Sequence, residues 1–378
     1  MDSIKKKKLK YESKDTTDLI FKQIKLKSEK YFFTQKSGKN ANAFLWFKLL
    51  SMLTLAAAAY YGIVYVSTFL LLILCYIVLF VSLLIVGLNI GHDAAHHCVT
   101  GNKKTDNFII QFIFAINGMS GYFWQVKHNH LHHIYPNVYN HDSELEITSF
   151  FLLDPKQKSH KIHKYQHIYA SFLYLTFSLL WLFYVDFAYF FDKNRFEFNN
   201  RKTPIIEFTK VIFIKFFYFI NFIVLPAHLC SDVFSLTQII GAFVIAHLFV
   251  SLGLSYLSYV SHHVEEVDYV QADESAGLIN DTWTKHQIIT TIDFNPDSRV
   301  ANFIFGGFNL HVAHHLFPDT CHVHYRALTA IIKETLEENK VDWYKSFTFF
   351  EGISSHLKHL KNSADVILTQ HSIQQNND

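Results

Sequence analysis

The chain has 378 residues, of which 50% are hydrophobic and only 17% charged, with a net charge of +2. Its four cysteines, Cys75, Cys98, Cys230 and Cys321, form no C-x-x-C pair, which argues against a cysteine zinc site and a disulfide framework. The net charge itself says little, whereas its placement says more, because the N-terminus carries "KKKKLK"; no nucleic-acid partner is expected.

The apolar residues come in long blocks, the pattern of a polytopic membrane protein rather than of soluble domains. Residues 1–43 are lysine-rich and too polar for a signal peptide. They read as a cytoplasmic basic segment under the positive-inside rule, with docking onto anionic lipid as an added role. An apolar run over 44–66 is long enough to span, since about 20 residues suffice. A second run over 67–90 follows with almost no loop, so the two are expected as a helical hairpin with both ends inside. The motif "GHDAAHH" begins where this second helix is expected to end. Residues 108–119 are apolar but short, which suggests an interfacial or re-entrant segment. The stretch 122–164 is polar and histidine-rich, hence water-facing.

Three more apolar runs cover 168–191, 209–229 and 236–260. If all histidine clusters share one side, the crossings between residues 141 and 262 must be even in number. The basic loop 192–202 belongs inside, which makes 168–191 the non-spanning element. Asp186 and many aromatics suit it to the interface. Runs 209–229 and 236–260 form the second hairpin, with Lys215 snorkelling inward. The expected fold class is all-α integral membrane, with four transmembrane helices in two hairpins, interfacial helices and a cytoplasmic helical cap. One domain is expected over 44–362, followed by a flexible tail, 363–378.

Among 24 histidines, ten gather in three short stretches, eight of them at the box positions taken up below: "HDAAHH" at 92–97, "HNHLHH" at 128–133 and "HVAHH" at 311–315. His92 and His96 are spaced i, i+4 and share a helix face. His128, His132 and His133 form H-x-x-x-H-H, and His311, His314 and His315 form H-x-x-H-H. Neutral imidazole binds iron, zinc and copper well. Eight ligands exceed one tetrahedral zinc and suit two metals with open positions. No H-E-x-x-H and no E-x-x-H pair occurs, which argues against a zinc protease and a carboxylate di-iron bundle. An all-histidine two-metal site at a membrane surface points to iron and dioxygen. The scattered His160, His163, His167, His228, His247, His356 and His359 read as surface or satisfied core residues.

With their surroundings, "HNHLHHIYPNVYNHDSELE", "HHVEEVD", "WTKHQIITTIDF" and "GGFNLHVAHHLFPDTCHVHY", these boxes resemble the membrane fatty acid desaturases. The text over residues 40–340 looks like bacterial acyl desaturases related to the linoleoyl-CoA (delta-6, front-end) enzymes. The resemblance implies two iron ions, dioxygen as co-substrate and a double bond placed in an acyl chain. It also implies a ninth ligand after the last spanning helix. His262 in "H-x-x-E-E" fits, with His263 as rival, and His97 is a rival to His96. Asp93, Asp142, Glu265 and His286 are expected behind the ligands, orienting them, or else as caps, surface charges or cap core.

Two departures stand out. The third box begins with His311 where front-end enzymes usually carry Gln, which leaves regioselectivity open. No H-P-G-G motif of a fused cytochrome b domain occurs, which implies an external donor of ferredoxin or cytochrome b type. The substrate would ride on CoA, carrier protein or phospholipid, in a tunnel walled by the second and the 236–260 helices. Trp124 and Trp283 are candidate tunnel residues, and Lys127 and Arg326 candidate headgroup contacts. Di-iron hydroxylases and ketolases are the alternative chemistry. A metal transporter would instead set its ligands in mid-membrane, whereas these clusters sit at helix ends and in loops.

Overall fold

Four helices are long and apolar enough to cross a membrane in the computed structural model: Ala43–Tyr65, Phe69–Ala95, Ile205–Leu229 and Leu236–Val260. They coincide with the four apolar runs expected to span, so the chain is an integral membrane protein. The structure describes residues 8–12, 15–145, 150–154, 157, 160–191 and 204–375. The basic loop 192–202, used to place the third apolar run, lies outside them.

The chain opens with a short strand, β1 (Lys10–Tyr11), and helix α1 (Asp15–Phe33). Within the basic N-terminal segment, α1 buries Ile20 and Ile24 against Leu328, Ile332 and Leu336 of the cap. Helix α2 (Ala43–Tyr65) starts at Asn42, whose side chain accepts from Phe44 N and Leu45 N. Three residues later α3 (Phe69–Val86) starts at Thr68, which accepts from Leu71 N. These caps satisfy amide donors that the first turn leaves unpaired. The second span does not stop before "GHDAAHH". It passes through a π-helical turn, Gly87–Gly91, into α4 (His92–Ala95), so the first box is the last turn of the span itself.

Helices α5 (Lys103–Ile116) and α6 (Gly121–Val126) follow, and α6 runs into a second π-helix, Lys127–His132. Next come α7 (Gln166–Tyr174), α8 (Phe177–Leu180) and α9 (Asp186–Phe191). Lys161–Tyr174 and Phe177–Phe191 meet at a 71° bend, the geometry of a broken span or re-entrant loop. Helices α10 (Ile205–Phe219), α11 (Leu225–Leu229) and α12 (Leu236–Val260) complete the apolar part. The spans bury one face on each other: Ile63, Leu72, Tyr76, Leu79, Phe80, Ile239 and Phe243 form one cluster. Phe47, Leu50, Phe213, Phe216 and Phe249 are exposed, as lipid-facing residues would be.

The cap holds α13 (Trp283–Ile289), α14 (Arg299–Phe305), α15 (His311–Leu316), α16 (Tyr325–Glu338) and α17 (Phe349–Gln375). Helix α17 continues past Ser363, where a flexible tail is expected. The all-α expectation needs one amendment. β1 pairs in parallel with β3 (Leu278–Ile279), which also pairs with β2 (Ala272–Asp273), and β4 (Asp293–Phe294) pairs with β5 (Ser346–Phe347).

Candidate metal centre

The three histidine stretches and His262 converge from the ends of α4, the second π-helix, α12 and α15. In the second box, His133 N donates to His128 O at 3.0 Å, an i→i+5 bond. The π-turn widens the coil, so residues at i, i+4 and i+5 reach one side. Such turns are frequent at functional sites.

The ring nitrogens point at one another. His92 Nε2 and His128 Nε2 lie 3.0 Å apart, as do His128 Nε2 and His133 Nε2. His262 Nε2 stands 3.1 Å from His132 Nε2 and 2.7 Å from His311 Nε2. Two groups of four emerge, His92, His96, His128, His314 and His132, His262, His311, His315, each with ligand atoms within 4.8 Å of one another. His133 meets His314 and His315 in a third, overlapping group. Nε2 of His96, His314 and His315 is buried without a hydrogen-bond partner among the described residues. Nitrogens left so, at the convergence point of an all-imidazole set, fit metal ions.

Burial keeps most of these rings neutral, the form that binds metal. It pushes His96, His128, His133, His311, His314 and His315 well below the ordinary imidazole value, and His262 down to about 3. His132 is the exception: burial lowers it, but the Glu144 and Asp142 carboxylates outweigh that and raise it.

The outer nitrogens are held. His132 Nδ1 lies 3.1 Å from both Asp142 oxygens, and Asp142 also accepts from Asn137 N and Glu144 N. His262 Nδ1 donates to Thr290 O at 3.0 Å, and His315 Nδ1 to Gln287 Oε1 at 2.8 Å. The Tyr325 hydroxyl stands 3.1 Å from His314 Nδ1. Asp142→Asn removes an acceptor that three donors use. Partners of this kind are worth about 10–100-fold in metal affinity. Metal retained against a chelator is expected to fall by that factor in the variant, with membrane insertion unchanged.

Other expected residues are not brought to the cluster. Asp93 turns away from the ligand rings: it lies 2.7 Å from His322 Nδ1 and accepts from Cys321 Sγ, tying the first box to the segment after the third. Glu265 accepts from Asn362 Nδ2 of α17 at 2.7 Å, because the chain turns after Val260 and carries it outward. His286 packs edge-on against Tyr11 in the cap, ring centroids 5.2 Å apart. His97 sits at φ 60° outside the groups, and His263 Nδ1 meets the Tyr269 hydroxyl at 2.9 Å. Trp124 stacks on His128 at 4.4 Å, whereas Trp283 packs on Phe21. Arg326 is exposed. His247 is bonded between Ser178 and Tyr218, and His356 and His359 have partners in the core.

Two glycines let the third box approach. Gly307 has φ +87°, and a Cβ there would lie 2.5 Å from the Tyr325 ring that steadies His314. At Gly306, φ +58°, it would lie 2.4 Å from Asn89. Gly307→Ala is expected to cost at least about 1–3 kcal/mol from backbone strain alone. The thermal unfolding temperature and the metal content should both fall.

A cavity of about 950 Å³, its open mouth included, reaches the cluster at His92, His128, His132, His262 and His311. Leu84 and Leu88 of the second span and Leu254 and Tyr259 of α12 line it, as expected for the tunnel walls, together with Trp124 and Trp181. Lys127 lies in this wall rather than at a headgroup surface. Burial alone would lower its pKa, but Glu144, 3.3 Å away, outweighs that and raises it.

The comparisons with known proteins agree with this geometry. The family model described as fatty acid desaturase matches residues 67–347, the stretch that carries all nine clustered imidazoles. The chain is 29% identical over 296 residues to the sn-1 linoleoyl-lipid 6-desaturase of Synechocystis sp., covering 75% of this chain and 78% of the relative. It is 29% identical over 367 residues to the acyl-lipid (8-3)-desaturase of Physcomitrium patens, covering 95% and 74%. To the acyl-lipid (8-3)-desaturase of Mortierella alpina it is 30% identical over 355 residues, covering 91% and 77%. Box spacing, convergent imidazoles and a match over most of the length lead to one conclusion: the chain belongs to the fatty acid desaturase family.

Proposed function

We propose that this desaturase places a double bond in a lipid-linked acyl chain, near its carboxyl end, at two iron ions. His92, His96, His128, His132, His133, His262, His311, His314 and His315 would hold them. The observation that carries the reading is the meeting of two four-imidazole groups at one end of an apolar cavity. When bound, the iron pair supplies the redox chemistry with dioxygen that removes two hydrogens from an unactivated carbon–carbon bond. Two electrons and two protons enter, and dioxygen leaves as water.

The chain's own residues position and shield. Asp142, Thr290, Gln287 and Tyr325 fix the orientation of four ligand rings through their outer nitrogens. Cavity walls from α3, α12 and Trp181 exclude water and set which carbons reach the cluster. The names of the relatives, which specify linoleoyl-lipid and acyl-lipid substrates, favour a lipid-linked acyl group and desaturation over hydroxylation or ketolation. Two hairpins, α2–α3 and α10–α12, would put both termini and the metal site on the cytoplasmic side. The packing of α1 on α16 supports a shared side for the N-terminal segment and the cap. Electrons would come from an external ferredoxin or cytochrome b.

The test is a mass-spectrometric fatty-acid profile of a host that expresses the chain with a ferredoxin and its reductase. New acids lighter by two hydrogens are expected, and fragmentation places the double bond. Products heavier by one oxygen would move the assignment to a hydroxylase.

A further inference from the structure

Lys127 lies in the cavity wall, only 4% exposed, next in sequence to His128. Its Nζ stands 3.3 Å from Glu144 Oε1 and 5.6 Å from the Trp181 ring centroid. An ammonium carries three donors. Glu144 takes one, and the other two meet no acceptor among the described residues. Tyr259 lines the same cavity, and its hydroxyl also makes no hydrogen bond among the described residues. Glu144 is its charged neighbour.

Most of the remaining wall is apolar, with Leu84, Phe114, Met119, Phe177 and Leu254. A pure hydrocarbon filling this space would strand the free donors in apolar surroundings, which is costly. A ligand with one acceptor oxygen at the Lys127 end would satisfy them. Glu144 also lies 4.0 Å from His132 Nδ1, so a single carboxylate separates this polar corner from the imidazoles.

We propose that Lys127, with the Tyr259 hydroxyl, receives the carbonyl oxygen of the substrate's acyl ester or thioester. The inference rests on the desaturase reading and names the specificity element of that site. Glu144 and the face of Trp181 aim the ammonium. The carbonyl then sits close to the imidazoles. Carbons are counted from the carbonyl, so the reacting bond falls near the carboxyl end.

The experiment uses the full chain in detergent micelles and needs neither iron nor donor. Methyl stearate and methyl octadecyl ether differ by one carbonyl, and quenching of the cavity tryptophans reports their binding. The wild type is expected to bind the ester about tenfold more tightly, the worth of a hydrogen bond to a charged group. Lys127→Met should erase that preference while ether binding stays within about twofold. Tyr259→Phe should reduce it about threefold. If Lys127→Met does not fold because Glu144 is left unpaired, Lys127→Met with Glu144→Gln carries the same test. An unchanged preference without Lys127, or no preference in the wild type, overturns the proposal. The second result leaves the desaturase reading intact wherever the host profile shows new unsaturated acids. Stearoyl-CoA and distearoyl phosphatidylcholine, used as competitors, separate a thioester from a phospholipid source. Lys127-dependent competition by either supports the anchor, and competition by neither overturns it.

Discussion

His314→Ala is expected to abolish desaturation and to lower bound metal sharply, while the protein still inserts in the membrane. His314 belongs both to the group with His92, His96 and His128 and to the group with His133 and His315. Its Nε2 has no partner among the described residues, and its Nδ1 faces the Tyr325 hydroxyl. Truncation therefore removes an imidazole nitrogen shared by two groups that could each hold a metal ion. Loss of a residue that merely orients a ligand costs about 10–100-fold in metal affinity, so loss of the ligand should cost more. The spans α2, α3, α10 and α12 do not include His314, so insertion provides an internal control. Metal content per chain and the fatty-acid profile of the host are the two readouts. A variant that keeps full activity would remove His314 from the centre. Tyr325→Phe, which keeps the ring but not the hydroxyl, should give the same defect in milder form.

The sequence disclosed the spans because lipid contact needs uninterrupted apolar runs, and 44–66, 67–90, 209–229 and 236–260 each supply one. It disclosed eight of the nine imidazoles because the box spacing is local: each box lies within six residues, whatever the rest of the chain does; His262 came only from the resemblance. The groups that steady those rings were harder to read. Gln287 meets His315 across 28 positions, and Tyr325 meets His314 across 11. Those contacts depend on how the cap helices pack, which no local spacing records. Proximity in sequence also misled. Glu265 lies three residues from His262 yet faces α17, and Asp93 follows His92 yet serves His322. Asp142 was legible because a tight turn after the second box brings it back to His132. Lys127 reads as a headgroup contact and Lys215 as a snorkelling residue, and both are buried beside carboxylates.

That last difference gives the second large effect. Lys215→Met is expected to destabilise the protein by about 3–5 kcal/mol, the usual cost of breaking a buried ion pair from one side. Lys215 Nζ lies 2.6 Å from Asp186 Oδ2 and donates also to Gly118 O and Trp181 O. Asp186, fully buried, accepts in addition from Ser120 N and Trp181 Nε1. Snorkelling is therefore not what Lys215 does. Its stem is enclosed, and its charge joins α10 to the bent 161–191 segment and to the turn after α5. Without the lysine, a carboxylate remains in an apolar setting with only two neutral donors, and the Gly118 carbonyl loses its partner. Asp186→Asn in the Lys215→Met background should recover part of the loss, because the amide oxygen still accepts from Trp181 or Ser120 and no charge is stranded. Thermal unfolding in detergent distinguishes the cases, with the single variant lowest and the double variant between it and the wild type. If the single variant unfolds with the wild type, the pair is not buried as described. The position of Trp181 gives the pair a further consequence. Its Nε1 donates to Asp186 while its ring lines the cavity beneath Lys127. Loosening the pair should thus widen the cavity wall and blur the position of the double bond in whatever protein survives.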